Sequence, residues 1–165
     1  MRHAKSGWDD PALDDKQRPL NRRGIRDAPR MGQYMLSADL VPDLVLCSDA
    51  VRTRETLQLA MAGWPQPWPP VRYEAALYLA VPGALIACVQ QVDRQVESCL
   101  LIAHNPGVHG LALALSGEGD RRALGELAMG FATGALAVVD MDIDDWRDVA
   151  PHIGRLRSFM YPKAL

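Results

Sequence analysis

The sequence predicts an α/β fold built on a largely parallel sheet. Short apolar runs of strand length recur at Asp43–Cys47, Ser98–Ala103 and Ala135–Asp140. Longer segments with helical patterning separate them, and no connection between the two kinds is longer than a loop. Two of the apolar runs end directly in a residue that can carry chemistry, Ser48 and His104. That is where an open α/β sheet gathers its ligands.

The elements follow in order. Lys5–Pro19 is polar and reads as a loop. Asn21 is an N-cap, and the pattern after it predicts a helix from Arg22 to about Ser37. Asp43–Cys47 is a buried strand, followed by a helix from about Ala50 to Ala62. Gly63–Pro70 is a stiff, proline-rich connector, too short to link two domains. Val71–Tyr73 is a minor strand. Pro82 suits the first turn of a helix running to about Asp93. Ser98–Ala103 is the clearest strand. Asn105 and Pro106 then read as N-cap and first helical position of a helix reaching about Ser116. Gly117–Phe131 is a polar excursion with a short helix. Ala135–Asp140 is the last buried strand, and the Trp146–Leu165 tail adds an edge strand near Arg155–Phe159.

The 165 residues suit a single domain, 1–165, with one sizeable core. A net charge of −2 argues against nucleic acid as the partner. The long uncharged stretch Ala75–Val92 contains Pro82-Gly83, Gln90 and Gln91, so it reads as a turn and a buried helix, with no membrane role. The chain does not open on a secretory leader. Cys47, Cys88 and Cys99 are odd in number and have no metal-ligand spacing, which predicts reduced core thiols and a cytoplasmic protein. No heptad or apolar stripe calls for an obligate oligomer, so a monomer is favoured.

Three places meet the rule for ligand sites: Arg2-His3-Ala4; Ser48 with Arg52 and Arg54 in the helix behind it; and His104-Asn105. Arginines beside histidines at strand ends suit the binding and transfer of a phosphoryl group. Other chemistries fit less well. Ala4-Lys5-Ser6 lacks the glycines of a P-loop, and no GxSxG or HExxH element is present. Asp142, Asp144 and Asp145 read as a solvated turn. His109 lies within a helix, His152 lies in a polar tail, and Cys47 reads as structural.

Taken together, these motifs resemble the histidine phosphatase superfamily, and within it the small SixA-like phosphohistidine phosphatases. Arg2-His3-Ala4 resembles the family's opening Arg-His motif. Arg18-Pro19-Leu20, leading to Gly24, is similar to its second arginine segment. Ser48-Asp49-Ala50-Val51-Arg52, continuing to Thr56, resembles its Ser-x-x-x-Arg element, and His104-Asn105-Pro106-Gly107 its second histidine motif. Gly130–Ala135 resembles the late Pro-Thr-Gly segment, with Ala132 where proline is usual; Pro162-Lys163 also fits. The likeness spans the whole chain in order. It implies a three-layer α/β/α sandwich of the phosphoglycerate mutase-like kind. It also implies that His3 is the nucleophile, that Arg2, Arg18, Arg52 and His104 form the catalytic phosphate pocket, and that neither metal nor cofactor is needed. Asn105, at a helix N-terminus, would add donors. The implied substrate is a phosphohistidine-containing protein or a small phosphorylated molecule. A small-molecule phosphomonoesterase and a non-catalytic phosphate- or phosphoprotein-binding module are the rival readings.

The chemistry agrees with that implication. Imidazole is a competent nucleophile near neutrality because its unperturbed pKa is ~6.5. Arginine's planar fork grips two oxygens and stays charged. Two departures stand out. Relatives that cleave alcohol phosphates place a carboxylic acid by the leaving oxygen. Here Glu74 is the only candidate in the corresponding stretch, Glu74–Leu79, and its register differs. A weak or missing acid suits an easily expelled group such as the nitrogen of phosphohistidine. Relatives also carry apolar residues ahead of the Arg-His pair, forming a central strand. The expectation is that this first strand is truncated here and that the natural protein starts a few residues earlier. The intact mass of the natively expressed protein tests that.

Overall fold

A computed structural model describes residues 1–8 and 10–165. Asp9, inside the loop expected over 5–19, lies outside the described residues. Helix α1 (Arg22–Ser37) is followed by β1 (Leu44–Ser48), α2 (Val51–Met61) and β2 (Val71–Glu74). Then come α3 (Pro82–Val89), β3 (Cys99–Ile102), α4 (Gly107–Leu115), β4 (Ser116–Gly119), α5 (Arg121–Met129), β5 (Leu136–Met141) and β6 (Gly154–Met160).

The strands form two three-stranded sheets, ordered β2-β1-β3 and β4-β6-β5. The N-terminal residues join them. Arg2 bridges in parallel to Ala103, past the end of β3. On the other side the Arg2 N–H donates to Ala135 O at 3.0 Å, and the Gly134 N–H donates to His3 O at 2.9 Å. Gly134 has φ +78°, a backbone region that favours glycine. The chain start is therefore a strand stub in the middle of the sheet. β1 pairs in parallel with both its neighbours, β4 runs parallel to β6, and only the β5–β6 pair is antiparallel.

Alternation along the strands builds two cores. Leu44, Leu46, Leu101 and Ala103 face one side with Leu85, Leu111 and Leu127 from α3, α4 and α5. Val45, Cys47, Leu100 and Ile102 face the other with Met31, Met35 and Leu57 from α1 and α2. The result is the expected α/β/α sandwich. α1 and α2 cross closely at Gly32, where a Cβ would sit 2.0 Å from Ala60 O. Asn21 caps α1 as expected, accepting from the Gly24 N–H at 3.0 Å.

The structure corrects several expectations at the element level. β6 is not an edge strand; it lies between β4 and β5. The polar 117–131 region holds a strand as well as a helix, because β4 pairs with β6 although its sequence, Ser-Gly-Glu-Gly, has no strand propensity. α3 stops at Val89, four residues short of Asp93. α4 starts at Gly107 with Pro106 as N-cap, and Asn105 makes no cap bond. The Asn105 side chain donates instead to Phe131 O at 3.0 Å. No described helix is long and apolar enough to cross a membrane.

A cavity of about 680 Å³ opens between β3 and β5 beyond Met1, lined by Leu100, Leu101, Leu136, Val138 and Met1 itself. The α-amino group of Met1 is buried there and donates to Leu101 O at 2.7 Å, as a strand N–H would.

Candidate active site

The sheet's carboxyl edge gathers His3 at the end of the stub, Ser48 at the end of β1 and His104 after β3. His3, Ser48, Arg18, Arg52 and His104 are all buried. The stub is held in place by side chains of α2. Thr56 Oγ1 accepts from the Ala4 N–H at 2.9 Å and donates to Arg52 O at 2.6 Å. Glu55 Oε2 accepts from the Leu20 N–H at 2.6 Å. The segment carrying Arg18 is thereby tied to the helix carrying Arg52.

The two imidazoles face each other with ring centroids 5.2 Å apart. His3 Nδ1 lies 2.6 Å from Ala4 O. A carbonyl only accepts, so the proton sits on Nδ1 and the lone pair is on Nε2. His104 Nε2 lies 2.8 Å from Ser48 Oγ. The other nitrogen of that ring, Nδ1, is buried and has no partner. Burial first, then the neighbouring His104, Arg52 and Arg2, lowers the His3 pKa to about 3, against the opposing Ala4 hydrogen bond. Burial followed by Arg52 lowers His104 to about 4. Both rings are neutral at pH 7.

Arg2 donates from Nη1 to Phe131 O at 2.8 Å, the carbonyl that also holds Asn105, while its buried Nε has no partner. Arg18 is held by Gly7 O (Nε, 2.9 Å) and Ser6 Oγ (Nη2, 2.8 Å). The exposed Trp8 ring stacks on it, its centroid 3.2 Å from the guanidinium carbon. Cation–π contact and a hydrogen-bonded fork fix this arginine in one orientation.

The sequence-predicted residues Arg2, His3, Arg18, Arg52, His104 and Asn105 thus lie on one edge. Glu74 ends β2, and its Oε1 pairs with Arg72 Nη2 at 2.8 Å. None of its described bonds reaches the histidines. Tyr78, four residues on, does reach them: its ring stands edge-on to His104 at 5.3 Å, and its hydroxyl donates to Asp15 Oδ2 at 2.6 Å. Asp15 also takes both Arg18 and Arg52. Sequence reading passed over Asp15 and Tyr78. The i,i+3 spacing of Asp15 and Arg18 was the available signal for the first. Within Glu74–Leu79, where a carboxylate was the expectation, the side chain that meets the site is the Tyr78 phenol.

The remaining candidates stay outside. Arg54 lies over the Tyr73 ring at 5.0 Å. His109 bonds to Leu127 O. Burial raises the Cys47 thiol to about 12, so it is no nucleophile. Asp145 caps a short turn and pairs with Arg147. No described group of His, Cys, Asp and Glu side chains is arranged to hold a metal.

Comparison with known proteins gives this edge its context. The sequence model of the histidine phosphatase superfamily (branch 1) matches residues 1–77. An uncharacterized protein of Mycobacterium tuberculosis strain H37Rv is 36% identical over 165 residues, covering 99% of this chain and 100% of its own. One from Mycobacterium leprae strain TN is 32% identical over 167 residues, with the same two shares. Among solved structures, the protein histidine phosphatase SixA complexed with tungstate superposes with a TM-score of 0.77 at 25% identity, over 99% of this chain and 96% of that one. A protein of Nakamurella multipartitia named for the phosphohistidine phosphatase SixA superposes with a TM-score of 0.83 at 29% identity, over 98% and 93%. On motif order, fold and relatives together, the chain belongs to the histidine phosphatase superfamily.

Proposed function

We propose that this chain is a metal-independent phosphatase that passes a phosphoryl group through His3 and acts on phosphohistidine in a protein. One observation carries the reading: a neutral His3 with its Nε2 lone pair unengaged stands opposite His104, beside two buried nitrogens without partners, the donor Arg2 Nε and the ring nitrogen His104 Nδ1. Buried donors without partners are costly unless a ligand supplies the acceptor. A phosphoryl group supplies several acceptors at once.

In this reading His3 Nε2 attacks phosphorus as the P–N bond to the substrate imidazole breaks, and that nitrogen takes a proton from solvent. Water then attacks the phosphorus on His3, its proton leaves to solvent, and inorganic phosphate departs. Charge on the equatorial oxygens is met by Arg2, Arg18 and Arg52 and by the His104 N–H, with Asn105 holding the Phe131 carbonyl alongside Arg2. Fixed arginines supply the neutralisation that a metal supplies elsewhere.

The leaving group follows from the carboxylates. Glu74 is engaged by Arg72. Asp49, which also influences His104, is paired with Lys16 at 2.7 Å. Asp15, which meets the arginines directly, is held below the usual range, first by the Tyr78 hydroxyl and then by Arg52 and Arg18. It is ionised near neutrality and has no proton to donate. Among the described residues the carboxylates near the cluster are Asp15 and Asp49, and both are ion-paired, which suits a labile P–N bond better than an alkyl ester. The three free thiols suit the reducing cytoplasm as its compartment.

The test is trapping of labelled phosphate on the wild type from a phosphohistidine protein, with generic phosphate esters run alongside. We expect label on the wild type, none on His3→Ala, and a preference for phosphohistidine over esters. Full activity in His3→Ala would refute the mechanism. A preference for esters would favour the small-molecule reading.

A further inference from the structure

The arginines of the pocket are not equally available. Arg2 keeps a free Nε. Arg18 and Arg52 close together on one carboxylate. Arg18 Nη1 donates to Asp15 Oδ1 at 2.5 Å, and Arg52 Nη2 donates to Asp15 Oδ2 at 2.9 Å. Arg52 Nη1 donates to the main-chain oxygen of the same residue at 2.5 Å. The Tyr78 hydroxyl adds a fourth donor, on Oδ2. Three segments far apart in sequence thus converge on one anion beside the paired histidines.

The burial is uneven in an informative way. The Arg18 and Arg52 side chains are 8% and 4% exposed, whereas Asp15 is 39% exposed. The cations are fixed in the protein, and the anion reaches in from the solvent side. With both histidines neutral, Arg2, Arg18 and Arg52 bring three positive charges to this edge. Like charges held together out of water need a counterion, and Asp15 supplies one charge of it. A carboxylate and a phosphoryl group both present paired oxygens to a guanidinium fork. The donors that Asp15 holds are therefore of the kind a phosphoryl dianion would take, and its charge opposes the arrival of that dianion.

We infer that Asp15 is an internal counterion that engages the Arg18 and Arg52 forks between turnovers, and that its charge keeps inorganic phosphate from being held too tightly. This rests on the phosphate-site reading above. Asp15 touches no reacting atom and acts through the two arginines as a positioning residue. The Tyr78 phenol, pushed up by burial and then by Asp15, stays protonated and keeps donating, which holds Asp15 in its charged form.

Asp15→Asn removes the charge and keeps the shape. Affinity for inorganic phosphate and for tungstate is measured by calorimetry, with melting temperature followed with and without saturating phosphate. The variant is expected to bind phosphate on the order of tenfold more tightly, the effect of one unit charge acting through shared guanidiniums. Its unliganded form should melt lower and gain more from phosphate than the wild type does. KM and kcat should fall together as product release slows, and Asp15→Glu should restore wild-type phosphate affinity. A residue that merely props up the fold would instead weaken phosphate binding when replaced. Equal or weaker phosphate binding by Asp15→Asn overturns the inference. A crystal structure of the wild type with tungstate gives a check that does not depend on the variant folding: Arg52 Nη2 is expected to leave Asp15 for the oxyanion. An oxyanion bound with both Asp15 pairs intact also overturns it. Wild type that binds neither phosphate nor tungstate would sink the phosphate-site reading and this inference with it, whereas normal binding with no Asp15 effect would sink the inference alone.

Discussion

The proposed role of His3 as a nucleophile asks for a neutral ring, and burial favours one. Its pKa, lowered from 6.5 to about 3, keeps Nε2 unprotonated over the working range. The acid limb of kcat/KM should therefore not turn down near 6.5, and loss of activity through His3 should begin only below about pH 4, as measured in a pH–rate profile of a stable substrate. A downturn centred near 6.5 would mean that the ring is more solvated than it looks. Arg52 makes a second residue-level prediction. Its two Nη atoms engage both the carboxylate and the main-chain oxygen of Asp15. Lysine carries the charge without the fork, so Arg52→Lys should lose at least about tenfold in kcat/KM with little change in melting temperature. Arg2, His3, Arg52 and His104 could be picked out because each sits within a few residues of a strand end, and Arg18 because it lies in a motif leading to α1. Asp15 and Tyr78 could not, since a carboxylate in a polar loop and a phenol after a short turn look ordinary until a distant partner meets them.

Among the elements, α2 carries Arg52 and packs against α1, which the Arg18 segment leads into. Their crossing depends on Gly32, where even a methyl group would press on Ala60 O. Backbone cannot yield as a flexible side chain can, so Gly32→Ala should cost on the order of 1–3 kcal/mol. Chemical denaturation measures this directly, and a neutral result would show that the helices can slide. α1 was legible, keeping its Asn21 cap and both its predicted ends, and so were the apolar strands β1, β3 and β5. β4 was hidden because it is made by pairing with β6 rather than by its own composition. β6 was taken for an edge because sequence order says nothing about which strand will flank it. Asn105 looked like a cap because it precedes a proline, yet the Phe131 carbonyl competes for its side chain.

The whole molecule is organised around its shortest strand. Met1 to Ala4 ties two half-sheets together, and the Met1 amine is buried in that seam. The molecule's pH dependence can be read from the two histidines beside it. Burial lowers both from 6.5, His3 to about 3 and His104 to about 4. Between those values the unfolded chain binds protons that the folded chain does not, so stability is full above about pH 6.5 and is lost as pH falls toward 4, by about 1.4 kcal/mol per pH unit for each ring at most. Urea unfolding at pH 8, 6.5 and 5 should show the decline at the lowest pH, and an unchanged curve would mean that the rings are more solvated than they look.

What the amino-acid order determined alone is local: strand–helix alternation, the Asn21 cap, and the histidines His3 and His104 with Arg2 and Arg52 placed close to strand ends. Those features depend on neighbours a few residues away, and hydrophobic period and motif spacing report them. The tertiary structure decided which strands lie side by side, that the chain start bridges two half-sheets, and that Asp15 and Tyr78, 63 residues apart, meet at the arginines. Such meetings depend on how layers pack and on which buried polar atom finds a partner, and no short window of sequence contains that information.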